Sequence, residues 1–322
     1  LNSISHTVLD EADEMLNMGF QEDIDSILQK VPGNSRTWLF SATMPKAAVK
    51  IADTYMVGPR SITAGMPNTT AENIQHVCYV MKETDRYAAL KRVIDYHPDI
   101  FALVFCRTRI ETQKVADQLL ADGYNAEPLH GDLSQAQRSH VMKKFRDKAL
   151  QLLVATDVAA RGLDVDDISH VIHYNLPDEP DRYTHRSGRT ARAGKSGVSI
   201  VLSNTREIRR IKTLEIQRNI PFSYAKIPGG RAICEKQLYA MVSRLVAVDV
   251  NAGEIDNYLS PVFETLSGLG RDELIRRFVS VEFNRYLDYY RDSGDINAKV
   301  KKHQTGTRKT GRRPDGNTQR FF

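Results

Sequence analysis

Along residues 1–230 short apolar runs alternate with apolar positions at helical spacing. The runs "HTVLD" (6–10), "TWLFS" (37–41), "HVCYVM" (76–81), "ALVFC" (102–106), "LLVAT" (152–156), "HVIHYNL" (170–176) and "VSIVLS" (198–203) predict strands. Several are apolar throughout, which suits strands buried on both faces of a parallel sheet. Phe20, Ile24, Ile27, Leu28 and Val31 share one helical face with Gly33 beyond as a stop, and "RIETQKVADQLLADG" (109–123) predicts another helix ended by Gly123. Alternation of this kind predicts α/β architecture with right-handed crossovers and binding groups at the carboxyl ends of the strands.

The pattern changes twice. "AGMPNTTAEN" (64–73) is polar and turn-rich and predicts an interdomain linker, and beyond residue 228 the strands stop. "KQLYAMVSRLVA" (236–247) puts Leu238, Met241, Val242 and Leu245 on one face, and "EIDNYLSPVFETL" (254–266) continues with Ile255, Tyr258, Leu259, Val262, Phe263 and Leu266. "DELIRRFVSVEFNRYLDYY" (272–290) is apolar over more than one face, more than a lone surface helix hides. Two readings stay open: a small helical cap on the sheet domain, or a dimerisation module, which the excess apolar surface favours. "KVKKHQTGTRKTGRR" (299–313) predicts a disordered basic linker. The chain opens without Met, and "TQRFF" turns apolar at its end, so it is expected to be a piece of a longer protein.

At 322 residues, 41% hydrophobic and 26% charged, the chain is ordinary for a soluble globular protein and long enough for two or three domains. A net charge of +5 fits an anionic partner without showing one. Cys78, Cys106 and Cys234 are far apart and lack C-x-x-C spacing, which predicts reduced thiols in a cytosolic protein. No apolar stretch is long enough to span a bilayer, so no membrane partner is expected.

The chemistry begins at "VLDEADEML" (8–16), a strand ending in acids. Asp10 suits Mg²⁺ held through its water shell, because that ion dehydrates reluctantly. Glu11 suits orienting and deprotonating a water that attacks a γ-phosphate. Alone, the pair fits solvated helix-capping carboxylates equally well. "HRSGRTARAG" (185–194) follows Pro180, a favoured first-turn residue. If the segment is helical, His185, Arg189 and Arg192 share a face, and Gly188 lets another backbone or a ligand approach. Such a face fits the spread charge of a transferring phosphoryl group.

"DEAD" (10–13), "SAT" (41–43), "ATDVAARGLD" (155–164) and "HRSGRTARAG" together, in order and spacing, resemble motifs II, III, V and VI of the DEAD-box RNA helicases. The likeness covers residues 1 to about 227, and the later segments resemble the bacterial cold-shock branch (the DeaD/CsdA type). The resemblance implies tandem RecA-like parallel-sheet domains, the first incomplete at 1–68 and the second at 69–227. A helical dimerisation region (228–297), a basic linker (298–318) and the start of an RNA-binding domain (319–322) would follow. It implies an ATPase with ATP and Mg²⁺ as cofactors. Asp10 would serve Mg²⁺ and Glu11 the water, with Arg189 and Arg192 at the γ-phosphate and Asp164 on the ribose. Asp13, Ser41, Thr43 and His185 would couple the lobes. Ser187 and Ala191 depart from the family's Ile-Gly-Arg-Thr-Gly pattern. No G-x-x-x-x-G-K-[ST] loop occurs, so the chain by itself is expected not to hydrolyse ATP.

An RNA face can be drawn from Arg107 and Thr108 after a strand, Gly131, Asp132, Gln135 and Arg138 in "HGDLSQAQR", and Thr156, whose turn would offer free N–H groups. Each also fits a cap or surface ion pair; together they match the family's motifs IV, Q-x-x-R and V. Such contacts hold the sugar–phosphate backbone without reading bases. The resemblance further implies a cytoplasmic homodimer acting with ribosomal particles or RNA-decay machinery. Two other readings are a non-catalytic dimeric RNA chaperone and a DNA-directed translocase of the same superfamily.

Overall fold

The structure is a computed structural model that describes residues 3–17, 19–41, 43–63, 73–250 and 252–298. Residues 64–72 of the predicted linker (64–73) and the basic and apolar tail from 299 lie outside the described residues.

A two-stranded parallel sheet comes first, with β1 (His6–Leu9) beside β2 (Arg36–Leu39). Helices α1 (Ala12–Asn17), α2 (Gln21–Leu28) and α3 (Lys46–Tyr55) accompany it, and Ile24, Leu28 and Ile51 form its small core. The predicted face of α2 is only partly buried. Ile27 is exposed, and the helix ends at Leu28, short of Val31 and Gly33. Lys30 and Val31 donate to the carbonyls three residues back, and Pro32 blocks a further turn.

The second sheet has seven strands in the order β5-β6-β4-β7-β8-β3-β9, every pair parallel. In chain order these are β3 (Ile74–Met81), β4 (Ala102–Phe105), β5 (Ala126–Leu129), β6 (Leu152–Ala155), β7 (His170–His173), β8 (Gly197–Asn204) and β9 (Phe222–Ala225). Helices α4 (Arg86–Tyr96), α5 (Arg109–Ala121), α6 (Gln135–Arg146), α7 (Pro180–Ser187) and α8 (Ile208–Arg218) lie between them. Strand β4 shows why the runs read as continuously apolar. Ala102 and Val104 pack with Leu90, Val93 and Val115 of α4 and α5, whereas Leu103 and Phe105 pack with Val141 and Phe145 of α6. Both faces are therefore covered by helices. Strands β5 and β9 were not expected, and both lie at sheet edges. Pro128 is tolerated at an edge, and Ser223 and Tyr224 are exposed, so neither segment carries the apolar run of a central strand. All three cysteines are free, with Cys78 and Cys106 buried.

Three helices follow: α9 (Gly230–Ala247), α10 (Ala252–Leu266, with Pro261 inside it) and α11 (Arg271–Tyr290). Helix α9 turns Ile233 and Gln237 inward, and the Gln237 side chain donates to the Asp95 carbonyl of α4 at 2.5 Å. The apolar face read from the sequence is turned away from the sheet: Val242 and Leu245 are 42% and 52% exposed. Helix α11 buries Phe283 and Tyr290 but leaves Ile275, Phe278 and Val281 exposed. Gly230 brings α9 against the end of α11, since a Cβ there would stand 2.8 Å from Tyr290 Cβ. After α11 the chain returns to the sheet. Asn297 bridges to Met81, accepts from the Ile227 N–H at 2.7 Å and donates to the Ile227 carbonyl at 3.3 Å. None of the described helices is long and apolar enough to cross a membrane.

Candidate functional site

The acids stand where β1 ends. Asp10 is exposed and accepts from the Glu11 N–H at 2.9 Å, and Glu11 takes a left-handed backbone (φ 51°) that starts α1 one residue later. Pairing of β1 with β2 brings Ser41 and Thr43 alongside. Buried Asp13 accepts from the Thr43 N–H at 2.8 Å and the Thr43 hydroxyl at 2.6 Å, and its own N–H donates to Ser41 Oγ at 3.1 Å. Three expected residues are thereby in one place, with the Asp13 carboxylate held by neutral donors.

From the other lobe comes α7, which starts at Pro180 as expected but stops at Ser187. The arginines therefore do not share a helical face with His185. Gly188 caps the helix, Ala191 is left-handed (φ 59°), and residues Arg192–Gly194 form a separate 3₁₀ turn. Among the described residues, no other element comes within 4 Å of a Cβ built at Gly188; the close approach is at Gly197 of β8, where a Cβ would press into the Thr190 side chain and within 2.9 Å of the Ala191 nitrogen. A buried polar chain fixes α7 from below. Ser187 Oγ lies 2.9 Å from Ser199 Oγ, which also meets His173 and the Tyr183 hydroxyl at 3.1 Å, and that hydroxyl reaches His76 at 2.6 Å. Burial pushes the His76 pKa down to about 4, so the chain is built from neutral groups.

The lobes meet through these residues. Arg189 places one guanidinium nitrogen 3.2 Å from Glu11 Oε1 and donates from another to the Leu163 carbonyl at 3.2 Å. Arg192 does not join the acids: it pairs with Asp164 at 2.9 Å. His185 Nε2 is 3.7 Å from Asp13, while Nδ1 is 2.5 Å from Glu14. Glu14 also pairs with Arg161. The His185 bond, aided by Arg161 and opposed by burial, lowers the Glu14 pKa to about 2. Burial works against a charge on His185, but Glu14, Asp13 and Asp181 outweigh it and the imidazole pKa is raised. Glu14 and Arg161 were missed, although both stand inside the quoted motifs. Glu14 falls three residues after Glu11 and one after Asp13.

Candidate RNA residues gather at the carboxyl ends of the second sheet. Arg107 follows β4, pairs loosely with Asp178 at 3.5 Å and takes Asn175 Oδ1 on its N–H at 2.8 Å. Thr108 caps α5, accepting from the Glu111 N–H at 3.2 Å. Beyond β5, Gly131 lies against Arg109, and Asp132 pairs with Arg109. Gln135 opens α6 exposed, and Arg138 on the next turn donates to the Ala159 carbonyl at 2.6 Å. Thr156 corrects an expectation: its N–H is not free but donates to Leu129 at 3.2 Å, because the end of β6 still pairs with β5. Its Oγ1 accepts from the Ala159 N–H at 3.4 Å and retains its own hydrogen to donate.

Two parallel-sheet lobes meeting through strand-end acids and arginines define a RecA-like helicase core. The family described as DEAD/DEAH box helicase matches residues 1–51, the helicase conserved C-terminal domain matches 85–194, and the family "Probable ATP-dependent RNA helicase, helical domain" matches 233–291. The chain is 38% identical over 266 residues to the DEAD-box ATP-dependent RNA helicase CshA of Bacillus subtilis, covering 83% of this chain and 54% of that protein. It is 45% identical over 248 residues to CshA of Geobacillus kaustophilus, covering 77% and 53%. Among solved structures, S. cerevisiae Dbp5 bound to RNA and ADP BeF3 aligns with a TM-score of 0.66 at 24% identity, covering 76% of this chain and 63% of that one, and supports the fold. The chain belongs to the DEAD-box ATP-dependent RNA helicase family. It spans about half the length of the curated relatives it matches.

Proposed function

We propose that the chain is part of an enzyme that hydrolyses ATP to ADP and phosphate and couples this to separating short RNA duplexes and remodelling RNA–protein particles. One observation carries the reading: Glu11 and Arg189, from different lobes, stand 3.2 Å apart. An acid and a guanidinium so placed complete a phosphate site only when the lobes close. In this reading residues 1–68 and 69–227 are the two lobes. Glu11 orients and deprotonates the attacking water. Arg189 and Arg192 face the terminal phosphate, with Asp164 on the ribose, so the Arg192–Asp164 pair opens when nucleotide enters. Asp10 fits Mg²⁺, because an exposed carboxylate with one local hydrogen bond suits an ion that keeps most of its water. When bound, that ion neutralises phosphate charge. Asp13, Ser41, Thr43 and His185 transmit lobe position to the acids. Arg107, Thr108, Gly131, Asp132, Gln135, Arg138 and the Thr156 hydroxyl hold the sugar–phosphate backbone. Cytoplasmic residence, and work on ribosomal particles or in RNA decay, go with this reading.

In the full-length parent, Glu11→Gln should keep ATP and RNA binding while lowering turnover by roughly 10²–10⁴-fold; undiminished hydrolysis overturns the assignment. Residues 1–322 alone should show no RNA-stimulated ATPase, lacking the phosphate-binding loop motif. A second reading, dimerisation through residues 228–297, is supported by the exposed side chains of Tyr258, Phe263, Phe278 and Val281 (75%, 65%, 48% and 80%).

A further inference from the structure

A cavity of about 340 Å³ opens where α9 and α11 lie against the second lobe. It sits at the far end of the second sheet from the candidate RNA residues. Asp95 lies in the last turn of α4, Tyr124 precedes β5 and Gln151 precedes β6, whereas Arg107 and Thr156 follow β4 and β6. Four-residue parallel strands separate the two ends by roughly 13 Å plus the loops.

The cavity has an acidic floor and a cationic, aromatic rim. Both Asp95 carboxylate oxygens are occupied, one by the Tyr124 hydroxyl at 2.8 Å and the other by the Tyr290 hydroxyl. Lys91 is also spent: it pairs with Asp122 at 2.9 Å and stands 3.7 Å over the Tyr289 ring. The cations with capacity left are two arginines. Arg244 is 60% exposed and pairs only at 3.5 Å, with Asp99. The Arg285 guanidinium stacks 4.6 Å over the Tyr286 ring and donates to its hydroxyl at 2.9 Å. Arg244 and Tyr286 line the same cavity as Arg285.

Guanidiniums beside a tyrosine at a cavity wall, here the half-buried Tyr286, are the pairing that holds unpaired nucleotides, the phosphate on the cations and the base on the ring. The Asp95 floor repels a phosphate and keeps it at the rim. A simple metal-ion site is the wrong chemistry here, since the carboxylate oxygens already serve phenols. We propose that this seam is a second binding site for single-stranded RNA, holding a phosphate between Arg244 and Arg285 with the neighbouring base against Tyr286. The proposal rests on the RNA-binding reading above and extends it to a strand, or a stretch of strand, that the two-lobed core does not grip. Unpaired RNA would then be held by the moving lobe at both ends of its sheet.

The test is fluorescence-anisotropy titration of the whole chain with a labelled oligouridylate, comparing wild type, Arg244→Ala/Arg285→Ala, Tyr286→Ala and a charge-matched control, Arg271→Ala/Arg277→Ala. Circular dichroism checks that each variant keeps its fold. The seam pair should lose about tenfold in affinity, and its log–log salt slope should fall by about 0.7, the loss of one phosphate contact on a single strand. Tyr286→Ala should weaken binding with little change in slope, and photocrosslinks to labelled RNA should map to Tyr286 or Tyr289. An equal loss in the control pair, or unchanged affinity in the seam variants, overturns the site. If unchanged seam variants accompany a loss in Arg107→Ala/Arg138→Ala, only the seam fails; if wild type binds no RNA, the functional reading falls with it. Polyglutamate that binds the seam as tightly as RNA replaces RNA with an acidic protein partner.

Discussion

His185 Nδ1 and Glu14 Oε1 lie 2.5 Å apart, although 171 residues separate them in the chain. The pair spans the two lobes, so its protonation bears on how they hold together. Glu14, lowered from 4.5 to about 2, contributes stability above its ordinary pKa and loses it as pH falls toward about 2. His185, raised above 6.5, contributes fully below 6.5 and loses its contribution as pH rises through the raised value. Lobe contact should therefore be firmest between about pH 4.5 and 6.5 and loosen toward alkaline pH. Energy transfer between dyes on the two lobes measures this. His185→Gln should flatten the alkaline limb, and an unchanged limb would remove His185 as its source.

Gly197→Ala should be costly out of proportion to one methyl group. The added carbon meets the Thr190 side chain and the Ala191 backbone, so the arginine turn must shift. A loss of about 1–3 kcal/mol in denaturant unfolding is expected, together with a crystallographic displacement of Arg189 from Glu11.

Ala191 pays for a left-handed backbone that glycine adopts freely. Ala191→Gly should be neutral or stabilising by up to about 1 kcal/mol, whereas Ala191→Val should destabilise by at least that much. Thermal melts of the two variants decide the point. If valine were the better tolerated, backbone strain at this position would not be real.

The apolar side chains of α10 and α11 should drive self-association. Sedimentation should find the wild-type chain dimeric and Phe278→Asp/Val281→Glu monomeric with an unaltered circular dichroism spectrum, since both residues are exposed. A wild-type monomer at high concentration would leave that surface to another partner.

Much of this was legible from residue order alone. The central strands announce themselves because Leu103, Val104 and their neighbours are buried on both faces. The edge strands β5 and β9 do not, because Glu127, Pro128 and Tyr224 need not be apolar where only one side is paired. The acids and arginines were found by type and spacing, but not how they are displayed. A helix through Arg192 was a fair expectation until Ala191 adopted φ 59°, a backbone choice tied to the close passage of Gly197. Glu14 and Arg161 stayed hidden for a different reason. Their partnership exists only once segments 147 residues apart are brought together, and nothing local marks either as more than a surface charge.

The two hydrogen bonds between Ile227 and Asn297 act as a buckle around the helices between them, fastening both ends of a 70-residue belt to a single lobe. Whatever rides on α9 to α11 is thus cargo of that lobe. If the lobes of the proposed enzyme part, anything held by those helices would travel with this lobe.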